Sequence, residues 1–205
     1  MLADKGDALE GKRCLILGSG KAALSLADKL VELGAIPISF SDPSGFVYEP
    51  EGFGTGSLRT INNIKSDRGA LLGRYIIHST TAQFNQPASI FDIPCDVWFP
   101  CDPEMTLSTG AIASLADAGC RAIIESASAV DPAAFSTLKQ RGMLYGPHTL
   151  TSGIITTPVQ AQVQTLYHDV KRTASEFSVR GDLFAGANIL SFVRVANKMM
   201  KHGAV

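Results

Sequence analysis

The sequence predicts an α/β fold: a doubly wound, Rossmann-like, mainly parallel sheet with helices on both faces and a closing C-terminal helix. Two observations carry this expectation. Five short apolar runs, "RCLIL" (13 to 17), "IPISF" (36 to 40), "DVWFP" (96 to 100), "RAIIE" (121 to 125) and "GMLYG" (142 to 146), have the character of strands covered on both faces. Segments with helical spacing lie between them, and strand, helix, strand in series produces parallel pairing through crossover helices. The 205 residues, 45% of them hydrophobic, can bury the core of one domain, or of one domain plus an appendage. Residues 1–205 are therefore expected to form a single dinucleotide-binding domain, with 187–202 as its closing helix.

The first run leads directly into "GSGKAA" (18 to 23). Gly18, Gly20 and Ala23 make a G-x-G-x-x-A turn: Gly18 allows the tight turn, Gly20 lets a pyrophosphate approach the backbone, and Ala23 keeps helix and strand close. Free N–H groups at the helix start then face the phosphates. Ala23, Leu26, Ala27 and Leu30 repeat at helical spacing, and Gly34 is a natural stop. The second strand ends at Asp42, about where an acid meets an adenosine ribose. "SDPSGFVYEPEGFGTGS" (41 to 57), rich in Gly, Pro and Ser, is expected to be a long surface excursion. "STGAIASLADAG" and "DPAAFSTLKQRG" each begin with a cap-type residue and end in Gly, as the later crossover helices should. The last helical pattern puts Ile189, Phe192, Val193, Ala196 and Met200 on one apolar stripe.

Composition narrows the partners. With 18 Lys and Arg against 19 Asp and Glu, the net charge is −1, and no like-charge block would attract nucleic acid or an anionic membrane. The N-terminal "MLADKGDALEGKR" lacks the apolar core of a secretory signal, and no later run is long enough for a bilayer, so the cytoplasm is the expected location. Cys14, Cys95, Cys101 and Cys120 lie in or beside apolar runs without two-residue spacing, which reads as reduced, mostly buried thiols rather than a zinc site. His78, His148, His168 and His202 form no ligand pair on one helical face, and no metal site is expected.

Beyond these general features, "EGKRCLILGSGKAALSLADKLVELGAIPISFSDPSGFVYEPEGF", "FDIPCDVWFPC", "GCRAIIESASA", "GMLYGP" and "GANILSFVRVANKMMKHGAV" occur in that order. This succession resembles the cofactor domain and closing helix of hexameric glutamate dehydrogenases, and the NADP-linked branch in particular. The most specific parts are "SDPSG", "PCDVWFPC" and "GANILSFVRVA", which a generic dinucleotide fold does not require. The resemblance implies NADP in preference to NAD, with Gly18, Ser19, Gly20, Lys21 and Ala22 at the pyrophosphate. It places Lys65 near the adenosine 2′-phosphate, with Ser41, Asp42 and Arg68 around it. A cation there suits the roughly two negative charges of that phosphate, which Asp42 alone would repel. Cys101, Asp102, Ser128 and Ser152 are implied on the nicotinamide side.

That side departs from the pattern. After "FPC" the family usually reads Ala-Thr-Gln-Asn-Glu, whereas this chain reads Asp102, Pro103, Glu104, Met105, Thr106. The amides that could bond ribose and carboxamide are lost, and Pro103 removes an N–H donor. Ser128 and Ser152 replace asparagines, and Ile154 and Ile155 replace a glycine pair whose lack of side chains permits close backbone approach. The segment from Thr156 to Arg180 is shorter than the family's. The resemblance also assigns the substrate-binding lysines and the catalytic lysine and aspartate to a preceding domain, so this chain is expected to lack the substrate domain and any catalytic residue. Two readings follow: the cofactor half of an NADP-linked glutamate dehydrogenase, partnered by a separate substrate domain, or a non-catalytic NADP-binding or assembly module derived from one, with self-association through the closing helix.

Overall fold

Alternation within three adjacent strands sets the architecture. Cys14 and Ile16, Val97 and Phe99, and Ala122 belong to one buried cluster, while Leu15, Trp98 and Ile123, their alternates, are also fully buried. Successive side chains of a strand point to opposite faces, so both faces of this sheet are covered. The computed structural model describes residues 1–126, 130–151 and 160–203. The chain divides into two units, Met1–Leu144 and Tyr145–Val205.

The first unit carries β1 (Arg13–Leu17), α1 (Lys21–Glu32), β2 (Ile36–Pro37), β3 (Ser39–Asp42), β4 (Gly45–Tyr48), α2 (Thr55–Ser66), β5 (Gln83–Asn85), β6 (Val97–Pro100), α3 (Thr109–Asp117), β7 (Ala122–Ile124), α4 (Phe135–Gln140) and the start of β8 (Leu144–Gly146). The main sheet has the order β2-β1-β6-β7-β8. β1 pairs in parallel with both β2 and β6, and β6 with β7. The chain moves one way from β1 through α1 to β2, and the opposite way from β6 through α3 to β7. Right-handed crossovers therefore place α1 and α3 on opposite faces. Against α1 and α2 the cluster is filled by Ala23, Ala27, Leu30, Leu58 and Ile61. The reversal of direction between β1 and β6 opens a crevice at their C-terminal ends, where ligands of doubly wound sheets bind.

The stretch 41 to 57 is not the expected surface excursion. It forms an antiparallel hairpin, with Asp42 opposite Gly45 and Phe40 opposite Val47, and β5 extends it to three strands. Gly and Pro mark the turn, but Phe46, Val47 and Phe53 are buried, because "GFVY" is apolar enough to add a layer to the core. The run 36 to 40 is correspondingly split between two sheets. Ile36 and Pro37 pair with β1. From Ser39 onward the chain pairs with β4, while the Ser39 hydroxyl both accepts from the Ile16 N–H and donates to the Ile16 carbonyl, each at 2.9 Å.

The second unit consists of α5 (His148–Thr151), α6 (Gln160–Glu176) and α7 (Leu183–Lys201). The Asp182 carboxylate accepts from the Ala185 N–H at 2.9 Å and caps α7, which thus starts a turn before the expected residue 187. α6 and α7 approach closely at Gly186, where an added Cβ would lie 2.8 Å from the Val170 carbonyl oxygen and 2.9 Å from the Ala174 methyl. On the expected apolar stripe, Ile189, Val193 and Ala196 are half-buried, whereas Phe192 and Met200 are exposed. Among the described residues no helix is long and apolar enough to cross a membrane.

Candidate cofactor site

At the C-terminal end of β1 the two glycines of the turn differ in what they do. Gly18 has φ +106°, and a Cβ there would stand 3.2 Å from the Cys101 carbonyl carbon and 3.4 Å from the Asp102 nitrogen. The fold itself requires glycine at this point, because backbone after β6 passes against it and L side chains disfavour the conformation. Gly20 is the opposite case. Its φ of −74° and ψ of 177° suit any residue, and a Cβ built on it meets nothing within 4 Å. No protein atom explains that glycine, whereas a ligand in contact with the backbone would. α1 starts at the next residue with no side-chain cap, so its first N–H groups face the same open space, beside the exposed Lys21 and Ala22. Ser19 is buried.

β3 lies alongside. Ser41 fastens the turn: its hydroxyl accepts from the Gly18 N–H at 2.6 Å, and its own N–H donates to the Gly18 carbonyl at 3.2 Å. The Asp42 side chain is 2% exposed. One carboxylate oxygen accepts from the Ser44 N–H at 3.0 Å and hydroxyl at 2.5 Å, and the other from the Leu72 N–H at 2.8 Å. Lys65 stands 3.7 Å from that second oxygen, with its ammonium also directed at the Ala70 carbonyl at 3.4 Å. Burial is the largest influence on Asp42 and would raise its pKa, but the Ser44 and Leu72 donors and the Lys65 charge together hold it below the usual carboxylate range. The acid is thus ionised and satisfied by protein donors, and its contact with Lys65 fixes that cation at the end of β3. Arg68 is exposed.

Across the crevice, β6 delivers Cys101 and Asp102. Burial raises the Cys101 thiol above its ordinary pKa, with a bond from Ser126 partly opposing it. Asp102 folds back on its own turn, where its carboxylate accepts from the Glu104 N–H at 3.0 Å. Pro103 and Glu104 are exposed, so this rim presents carboxylates where the resemblance leads one to expect amides. Glu125 is buried after β7 and accepts from the Val130 N–H at 2.7 Å. Ser128, Ser152, Ile154 and Ile155 lie outside the described residues. All four cysteines are free and only Cys101 is not buried. Among the described residues no three His, Cys, Asp or Glu side chains could hold a metal.

The structure therefore brings Gly18, Ser19, Gly20, Lys21, Ala22, Ser41, Asp42, Cys101 and Asp102 to one end of the sheet, with Lys65 joined through Asp42. Residues 1–157 match the glutamate/leucine/phenylalanine/valine dehydrogenase family. The chain belongs to that family. Similar members include the NADP-specific glutamate dehydrogenase of Chlorella sorokiniana, 29% identical over all of this chain and 44% of the relative, and that of Escherichia coli (strain K12), 28% identical over all of this chain and 51% of the relative. Among solved structures, Plasmodium falciparum glutamate dehydrogenase 2 superposes with a TM-score of 0.88 at 29% identity, covering all of this chain and 50% of that one. The chain spans about half the length of the curated relatives it matches. Its alignment with the Chlorella protein occupies 230 positions, 25 more than the 205 residues here, so this dehydrogenase-family chain is shorter than the corresponding part of that relative.

Ser44, Leu72 and Glu125 were not singled out by the sequence. Ser44 had a local signal, since a serine two residues after an aspartate in a turn commonly bonds it. Leu72 contributes only its backbone, which leaves no mark in the sequence.

Proposed function

We propose that this chain is the NADP-binding portion of a glutamate dehydrogenase-like oxidoreductase. The observation that carries the proposal is Gly20, open to solvent at an uncapped helix start in the crevice between β1 and β6. The residues fit a dinucleotide. The N–H groups of the first turn of α1 would receive the pyrophosphate, with Lys21 adding charge, and the Lys65 ammonium, held by Asp42, lies toward the adenosine side. The names of the Chlorella and Escherichia relatives support NADP as the ligand. The bound cofactor would supply hydride chemistry. This chain's own contribution is binding and orientation, and catalytic proton transfer requires groups from a substrate domain. The decisive experiment is calorimetry with NADPH and NADH. NADPH is expected to bind more tightly, with a preference that shrinks as salt rises because the contact is charge-assisted. Lys65→Glu is expected to erase or invert it. Failure of both cofactors to bind would remove the proposal.

A second reading, a non-catalytic NADP-binding or assembly module, is favoured by the rim after β6. There Pro103 lacks an N–H, Asp102 bonds its own turn and Glu104 adds negative charge. These features would hold a nicotinamide ribose less well than amides. Binding of adenosine 2′,5′-bisphosphate as tight as that of NADPH would support this reading, since the nicotinamide half would then add nothing.

A further inference from the structure

The chain leaving β6 sets two carboxylates beside the glycine turn. The Cys101 N–H donates to the Leu17 carbonyl at 2.8 Å, and a Cβ on Gly18 would stand 3.4 Å from the Asp102 nitrogen, so residues 101 and 102 adjoin the end of β1. There the chain turns tightly. The Asp102 carboxylate accepts from the Glu104 N–H at 3.0 Å, and the Asp102 carbonyl accepts from the Met105 N–H at 3.4 Å. Glu104 is exposed and Asp102 half-buried, and among the described residues neither carboxylate stands in an ion pair. Charge is therefore divided across the crevice. Lys21 follows β1 and Lys65 is joined to the end of β3, whereas Asp102 and Glu104 follow β6. The Cys101 thiol, held protonated by burial, adds no charge to either side.

A dinucleotide across such a crevice lays one nucleotide over each half of the sheet, and with the adenosine ribose at the acid ending the second strand, the nicotinamide nucleotide falls to the β6 half. The oxidised ring carries a positive charge that the reduced ring lacks, while the two forms share every phosphate. A carboxylate near the ring therefore acts on the difference between them. We propose that Asp102 and Glu104 are specificity-determining residues that make the crevice favour the oxidised over the reduced form of the cofactor. The inference rests on the NADP-binding reading above. Because the carboxylates border solvent, the attraction is moderate and screened by salt.

The test is calorimetric titration of the full chain with NADP+ and with NADPH, read as the ratio of the two Kd values. In Asp102→Asn/Glu104→Gln the preference for NADP+ is expected to fall about threefold to tenfold relative to wild type. Glu104→Gln alone should show part of that fall, and Glu104→Lys should exceed it. Raising the salt concentration should lower the wild-type ratio and leave that of the double variant nearly constant. Asn at 102 keeps the acceptor that closes the turn, and Glu104 is exposed, so circular dichroism of the variants should match wild type. Relief of repulsion from the phosphates alone would tighten both cofactors equally. A ratio unchanged in the double variant, with both cofactors still bound, overturns this inference and leaves the NADP reading standing. No binding of either cofactor by wild type overturns both.

Discussion

At the scale of single residues, the turn holds one glycine that the fold requires and one that no neighbouring atom within 4 Å requires. Gly18→Ala must place a methyl 3.2 Å from the Cys101 backbone at φ +106°, and thermal unfolding is expected to show a loss of about 1–3 kcal/mol. Gly20→Val meets no atom and adopts an allowed conformation, so its cost should stay near the ~1 kcal/mol of a poorer cap residue. Its effect should instead fall on ligands, weakening NADPH and NADH alike. If Gly20→Val binds both as wild type does, the pyrophosphate does not cross this turn. Asp42 gives a third contrast. Its folded pKa is held below the unfolded value of about 3.9, so its contribution to stability is complete above that value and is lost as pH falls through the folded one. Asp42→Asn has no such contribution to lose. Urea midpoints measured from about pH 6 to about pH 3 should therefore converge between wild type and variant as the solution is acidified.

At the scale of elements, strands of a covered parallel sheet were legible because they are short and apolar: β1 runs over 13–17 as expected, and β6, β7 and β8 fall inside their expected runs. The hairpin β3–β4 was not legible, because "SDPSG" reads as loop when its composition is averaged over seventeen residues, yet a turn needs only four. The burial of Phe46 and Val47 was the stronger signal. In the candidate site, the glycine turn was visible because its spacing is fixed by one local structure. The Asp42 to Leu72 bond was not, because it joins positions thirty residues apart through a backbone N–H. The pairing of α6 with α7 offers its own test. Gly186→Leu would drive a branched side chain into the Val170 carbonyl and the Ala174 methyl, overpacking that typically costs about 1–3 kcal/mol. Far-ultraviolet circular dichroism should then show helix content lost at a lower temperature than in wild type. Gly186→Ala should do less damage in the same direction.

For the whole molecule, the two ends of the candidate site are unequally equipped. On one side Lys65, Ser44 and the Leu72 N–H converge on Asp42, beside the open backbone at Gly20. On the other, Asp102, Pro103 and Glu104 put carboxylates and a proline at the rim after β6. A dehydrogenase needs both ends, together with a base and an acid placed within reach of the substrate. Lys21 opens α1 at the rim of the crevice and is exposed. The cysteine that borders the crevice, Cys101, is held protonated by burial and is unsuited to act as a base. The purified chain is thus expected to show no oxidation of NADPH in the presence of 2-oxoglutarate and ammonia, even at cofactor concentrations that saturate binding. Loss of NADPH absorbance over time is the readout, with calorimetry on the same sample to establish that the cofactor is bound. Turnover that disappears on mutating a residue of this chain would mean that it carries catalytic groups of its own, and the division of labour proposed here would be wrong.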